Sequence, residues 1–221
     1  AREVGYSMAD SLLEIGIDLC LAPVLDCEPD LGTQPGDVLH ERCFSNNPEE
    51  IIRLAAAYIS GMADAGMPAI GKHFPGHGGV QGDTHQTCEG DPRSLEALMQ
   101  RDILPYIALQ SALSGIMLSH VCFPQIDNLP CSLSKTWVNI LREQLKLSQV
   151  IFTDCLSMNA VAKLYSDPID RVKLAFESGV DLALLCNDRS AVRRVLSQLS
   201  TARNYDLQVK LEHWKASIGV S

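Results

Sequence analysis

Residues 67–86 read MPAIGKHFPGHGGVQGDTHQ, and the first half of that stretch decides the fold. MPAIGKHF (67–74) is an apolar run of strand length that ends in Lys72 and His73, after which PGHGGVQGD turns polar and glycine-rich. Before it, Pro48 to Ala65 carries apolar residues at helical spacing, with Asn47 placed to cap the start and Gly66 to end it. The unit is therefore a helix, a buried strand and a loop loaded with polar side chains.

The same unit recurs outward in both directions. Upstream, Val4 to Ile15 has helical periodicity, Gly16 stops it, and IDLCLAPVLD (17–26) reads as a first strand. Downstream, Ser94 to Leu113 reads as a helix bent at Pro105, followed by a strand GIMLSHV (115–121). Ser134 to Leu147 is a helix before the strand QVIFTDCLS (149–157), and Ile169 to Ser178 a helix before the strand VDLALLC (180–186), with final helices near 189–199 and 206–216. Short apolar strands alternating with helices predict an α/β fold with parallel pairing, because each crossover must carry a helix back across the sheet. The chain is read as one domain, residues 1–221.

Nearly every predicted strand ends in chemistry: Asp26, then Lys72 and His73, then His120, then Asp154, then Asn187 and Asp188. Strand ends that all carry functional residues suit the single mouth of a TIM-type (β/α) barrel better than the one crevice of a doubly wound sheet. Five strands do not close an eight-stranded barrel, so the barrel is expected to lack its first strand-helix units in this chain.

Composition narrows the function. The 221 residues are 46% hydrophobic and 20% charged, with a formal net charge of −9 and a pI near 5.1. That balance offers no basic surface for nucleic acid or an anionic membrane. No apolar run reaches the ~20 residues of a membrane span, and the amphipathic start shows no export signal. Eight cysteines without a C-x-x-C pair suit reduced thiols in the cytoplasm.

GKHFPGHGGVQGDTHQ (71–86) contains three of the six histidines. Two explanations compete with catalysis here, a solvated connection and a metal site built on His73, His77 and His85. The metal alternative lacks a His-Glu-x-x-His helix or an equivalent spacing. The catalytic reading pairs Asp83 with His85: one residue apart in extended chain, their side chains share a side, so the carboxylate can fix the imidazole tautomer. His85 can then give a proton to a leaving oxygen and later take one from water. Asp154, at the end of an apolar run, is placed to attack an anomeric carbon, its competing role being a helix N-cap. Lys72 and His73 are candidate contacts to sugar hydroxyls or an N-acetyl group, Arg42 is a weaker one, and Asp26 is read as orienting neighbouring loops.

These motifs resemble the family 3 glycoside hydrolases, and within them the bacterial β-N-acetylglucosaminidases of cytoplasmic peptidoglycan recycling. GKHFPGHG followed by DTH resembles that branch's acid/base loop, VIFTDCLSM its nucleophile strand, and APVLD and RCF stand in the order expected. The resemblance implies a retaining exo-β-N-acetylglucosaminidase with Asp154 as nucleophile, His85 as acid/base and Asp83 as its partner. It implies Lys72, His73 and Arg42 as N-acetylglucosamine contacts, and a muropeptide or chitobiose-like substrate. It implies neither cofactor nor metal. Two departures accompany it: the family's proteins begin with further strands, one ending in an Asp-Gln-Glu-Gly-Gly loop, and Cys155 stands where a second aspartate often follows the nucleophile. The alternatives are a non-catalytic, degenerate sugar-binding barrel fragment and a β-N-acetylglucosaminide phosphorylase. A β-glucosidase would leave the Asp83–His85 loop without a purpose.

Overall fold

A computed structural model of the protein describes residues 1–28, 42–80, 90–199 and 205–219. In chain order the elements are α1 (Arg2–Glu14), α2 (Pro48–Ala65), β1 (Ile70–Phe74), α3 (Leu95–Met99), α4 (Leu104–Ala108), β2 (Gly115–Leu118), β3 (Cys122–Phe123) and β4 (Asp127–Pro130). They continue with α5 (Lys135–Asn139), β5 (Val150–Thr153), α6 (Asn159–Ala162), α7 (Pro168–Ser178), α8 (Arg189–Gln198) and α9 (Tyr205–Ile218).

Local sequence sets the helix boundaries. The Asn47 side chain accepts the Glu49 N–H at 2.9 Å, Pro48 opens α2 where its missing N–H leaves nothing unpaired, and Gly66 ends the helix at φ 92°. Asp167, Pro168 and Gly179 (φ 100°) do the same for α7. Helices α1 and α2 meet backbone to backbone: a Cβ on Gly61 would strike the Arg2 carbonyl, and one on Gly5 the Tyr58 carbonyl.

The sheet has the order β1-β2-β5, all parallel, with Ile70 opposite Gly115 and Gly115 opposite Val150. Both flanks are extended by the remaining predicted strands, but only as isolated parallel bridges: Cys20 to Ala69 and Val24 to Lys72 on one side, Phe152 to Leu182 on the other. Pro23 interrupts the first because it has no N–H for the ladder. The last is interrupted at Leu184, whose N–H goes to the Thr153 hydroxyl at 2.9 Å instead of to a carbonyl. The spatial order of the five segments is thus their sequence order, without the reversal that defines a doubly wound sheet. Closure into a barrel is not made among the described residues.

Alternation along the strands gives the sheet two apolar faces. Ile116, Leu118 and Ile151 join the main core with residues of α2, α3 and α5. Ile70, Met117, Val150 and Phe152 form a separate cluster on the other face, which in a barrel is the interior, and Leu211 and Trp214 of α9 pack on it. The Trp214 indole donates to the Ser114 carbonyl at 2.7 Å and lies 5.7 Å from the Phe152 ring. Lys210 pairs with Asp181 at 2.6 Å.

Several expectations are corrected. The helix predicted from Ser94 to Leu113 is two short ones, and the break falls before Pro105, which sits in the first turn of α4 where proline is tolerated. The helix predicted from Ser134 ends in a π-helical turn, Ile140–Gln144. The antiparallel pair β3–β4 was not foreseen. Among the described residues six cysteines are free, as expected for reduced thiols, but Cys122 is disulfide-bonded. No helix among the described residues is long and apolar enough to cross a membrane.

Candidate active site

The carboxyl ends of the parallel segments gather the polar residues. Asp26, fully buried, is the hub. One of its oxygens lies 2.8 Å from His73 Nδ1 and the other 3.1 Å from His77 Nδ1, and the His73 backbone N–H donates to both, at 3.2 and 3.3 Å. The two rings meet edge to face at 5.0 Å and are almost fully buried. Burial alone would raise the Asp26 pKa, but the two imidazoles and their hydrogen bonds hold it well below the usual carboxylate range. An ionised carboxylate only accepts, so both Nδ1 atoms carry the proton. Burial also lowers the His73 pKa against the pull of Asp26, which keeps that ring neutral near pH 7.

Asp26, His73 and His77 place one ligand-type atom each within 4.8 Å of one another. Each Nδ1 faces its own carboxylate oxygen at hydrogen-bond distance, so the arrangement is accounted for by two N–H donors. A shared ion would draw all three atoms to ~2.0–2.2 Å from one point.

Asp154 follows β5, half-buried, and its carboxylate accepts the Cys155 N–H at 2.7 Å. Its neighbour Cys155 offers its carbonyl to His120 Nε2 at 2.9 Å, while His120 Nδ1 contacts the Ser132 hydroxyl at 2.6 Å. Burial raises the Asp154 pKa, yet His73, His120 and the Cys155 N–H outweigh it, so the pKa falls below the ordinary value. His120 is itself lowered, by burial, against Asp154 and the Cys155 carbonyl. Lys72, half-buried in the middle of β1, is lowered by burial and by nearby Arg42, with Asp154 acting in the opposite direction. Arg42, Lys72, His73 and Asp154 therefore share one electrostatic neighbourhood. Asp188 does not join it: its side chain caps α8 through the Ala191 N–H at 2.9 Å.

Asp83 and His85 lie outside the described residues. The chain that leads to them is firmly anchored. Gly78 N–H donates to Asp102 at 3.2 Å, and Arg93 binds Asp102 at 2.6 Å and Asp91 at 2.7 Å. A Cβ on Gly79 would collide with Arg93 and Asp91, and one on Gly76 (φ 137°) with Asp102, so glycine is required at both positions. Sequence reasoning did not find the Asp26 hub, the place of His77 within it, or the His120 contact to Cys155. The strand-end position of Asp26 and His120 was the available signal.

The sequence pattern of the glycosyl hydrolase family 3 N-terminal domain matches residues 1–212. A β-hexosaminidase of Idiomarina loihiensis is 43% identical over 197 residues, covering 89% of this chain and 58% of the relative. One from Pseudomonas aeruginosa is 42% identical over 200 residues, covering 90% and 59%. The crystal structure of NagZ from Neisseria gonorrhoeae in complex with N-trifluoroacetyl-D-glucosamine superposes with a TM-score of 0.83 at 35% identity, covering 96% of this chain and 60% of that one. The chain thus spans about three fifths of the length of the relatives it matches.

Proposed function

Because this chain belongs to the glycosyl hydrolase family 3 N-terminal domains, we propose that it is the catalytic part of a retaining exo-β-N-acetylglucosaminidase. The observation that carries the reading is the Asp154 carboxylate, held by the Cys155 N–H at 2.7 Å at the end of β5 and favoured as the anion by its surroundings. A carboxylate kept ionised and aimed by one short hydrogen bond is a pre-positioned nucleophile. Asp154 attacks the anomeric carbon to give a covalent glycosyl-enzyme. His85, oriented by Asp83, protonates the leaving oxygen and then takes a proton from the water that releases the sugar.

Lys72 and Arg42 donate hydrogen bonds to the sugar. His73, neutral with its Nδ1–H given to Asp26, accepts one through Nε2. The relative solved with N-trifluoroacetyl-D-glucosamine supports a pocket for an N-acylated glucosamine. The substrate is N-acetylglucosamine linked to a 1,6-anhydro-muropeptide or to a second amino sugar, and the fold is a TIM-type barrel of which this chain forms the wall from Leu19 onward. A cytoplasmic location follows from that substrate and from the free thiols; the Cys122 disulfide is the observation that points the other way.

The test is release of chromophore from an aryl β-N-acetylglucosaminide by a protein of the relatives' full length. Asp154→Asn is expected to abolish it, and His85→Ala to slow it by about 10²–10⁴-fold. Full activity in Asp154→Asn refutes the mechanism. Sugar 1-phosphate formed in phosphate buffer would replace hydrolysis by phosphorolysis.

A further inference from the structure

Cys155 directly follows Asp154, and Cys186 ends the segment that runs beside it. The Cys186 N–H donates to the Cys155 sulfur at 3.3 Å, and the two side chains hydrogen bond to each other. Both thiols are free, Cys155 half-buried and Cys186 exposed. Their segments are locked side by side by Thr153 N–H to Leu182 O at 3.0 Å, Leu184 N–H to Thr153 Oγ1 at 2.9 Å and Leu156 N–H to Leu184 O at 2.8 Å. The Cys155 residue meanwhile supports two other groups, the Asp154 carboxylate through its N–H and His120 through its carbonyl.

We propose that Cys155 and Cys186 form a covalent modification site, a dithiol that a small disulfide such as glutathione disulfide converts to an intramolecular bond, displacing the Cys155 peptide that aims Asp154. One thiolate attacks a sulfur of the oxidant and releases the first glutathione thiolate; the second cysteine attacks the mixed disulfide and releases the other. The protein loses two electrons and two protons, and one glutathione disulfide becomes two glutathione molecules. Without oxidant Cys186 rests as a thiol, because burial, the hydrogen bond to Cys155 and the charge of Asp154 push it up to about 11. Bond formation shortens a hydrogen-bonded sulfur contact by more than about 1 Å, to ~2.05 Å. Cys155 must contribute to that contraction, and displacement of a reacting group by ~1 Å costs on the order of 10²-fold in rate.

The effect on catalysis rests on Asp154 being the nucleophile; the bond itself does not. The experiment treats the full-length protein with glutathione disulfide. It then maps disulfides by peptide mass spectrometry, follows the His120 ring nitrogens by NMR, and assays the aryl glycoside before and after reduction by dithiothreitol. The expected result is a Cys155–Cys186 linkage, a shifted His120 Nε2 resonance and a reversible activity loss of at least about tenfold, all absent in Cys186→Ser, whose untreated activity equals wild type. A mixed disulfide on Cys186 alone, or no linkage, overturns the site. A linkage that leaves the His120 resonance and the activity unchanged overturns the displacement. A linkage with the His120 shift in a protein inactive even when reduced upholds the proposal and refutes the assigned function instead.

Discussion

Asp26→Asn isolates what the buried hub contributes. The carboxylate accepts two imidazole N–H groups, at 2.8 and 3.1 Å, and the His73 backbone N–H. Asparagine keeps the shape but offers one oxygen, so its NH₂ must face an N–H donor on one of the rings, whichever way the amide is turned. One charge-assisted bond, worth about 1.5–3 kcal/mol, is lost and one buried donor is left without a partner at a cost of about 1–3 kcal/mol. A tautomer change in one ring relieves part of this, which gives an expected destabilisation of about 2–4 kcal/mol. With a urea slope of about 2 kcal/mol per molar, the unfolding midpoint should fall by about 1–2 M. Alanine would orphan every donor and approach the whole stability of a domain, about 5–15 kcal/mol, so asparagine is the informative change. Nitrogen NMR supplies an independent readout: in the wild type both Nδ1 atoms carry the proton that Asp26 accepts, and in the variant one of them loses it. A midpoint within about 0.3 M of wild type, with both Nδ1 atoms still protonated, would refute the hub as the element that fixes the two rings.

Acid should destabilise the protein in two stages. His73 and His120 have lowered pKa values, so below about 6.5 the unfolded chain binds protons that the folded one does not, and stability falls as pH drops. Asp26 and Asp154, also lowered, add a second loss below the ordinary carboxylate value, and urea midpoints measured from pH 8 to pH 3 would show both. Gly61→Ala forces α1 away from α2 through the Arg2 carbonyl and should cost about 1–3 kcal/mol in the same assay, whereas exposed Ala1→Gly should leave the midpoint unchanged. Arg93→Met leaves the buried acids Asp91 and Asp102 without their cation, at a cost of about 3–5 kcal/mol, and should make residues 76–80 more susceptible to limited proteolysis.

Local signals were legible in the sequence where a single segment decides the outcome. Asn47, Pro48 and Gly66 bound α2, and Asp167, Pro168 and Gly179 bound α7, because capping is settled within a few residues. The parallel order was legible too, since alternation of strand and helix leaves few ways to connect them. What sequence could not supply was contact across long separations. Asp26 is 47 residues from His73 and 51 from His77, and nothing local distinguishes a carboxylate that holds two rings from one that caps a loop. Hairpin β3–β4 was missed for a different reason. Pro124 and the Asp127-Asn128 pair were available turn signals, but a two-residue strand has too little periodicity to read. Cys155 was noticed only as a departure from a family pattern; its contact with Cys186 required the fold.

The seat taken by α9 has a consequence for any larger assembly of strands. Leu211 and Trp214 already shield the inward side chains of Ile70, Met117 and Phe152 from water, and the indole has given its one N–H to Ser114. The polar partners of α9, Ser114 just before β2 and Asp181 just before the last segment, stand at the amino ends of the strands. Strands added to the sheet would therefore close around Trp214 as a plug at that end, and its fluorescence would report the burial directly.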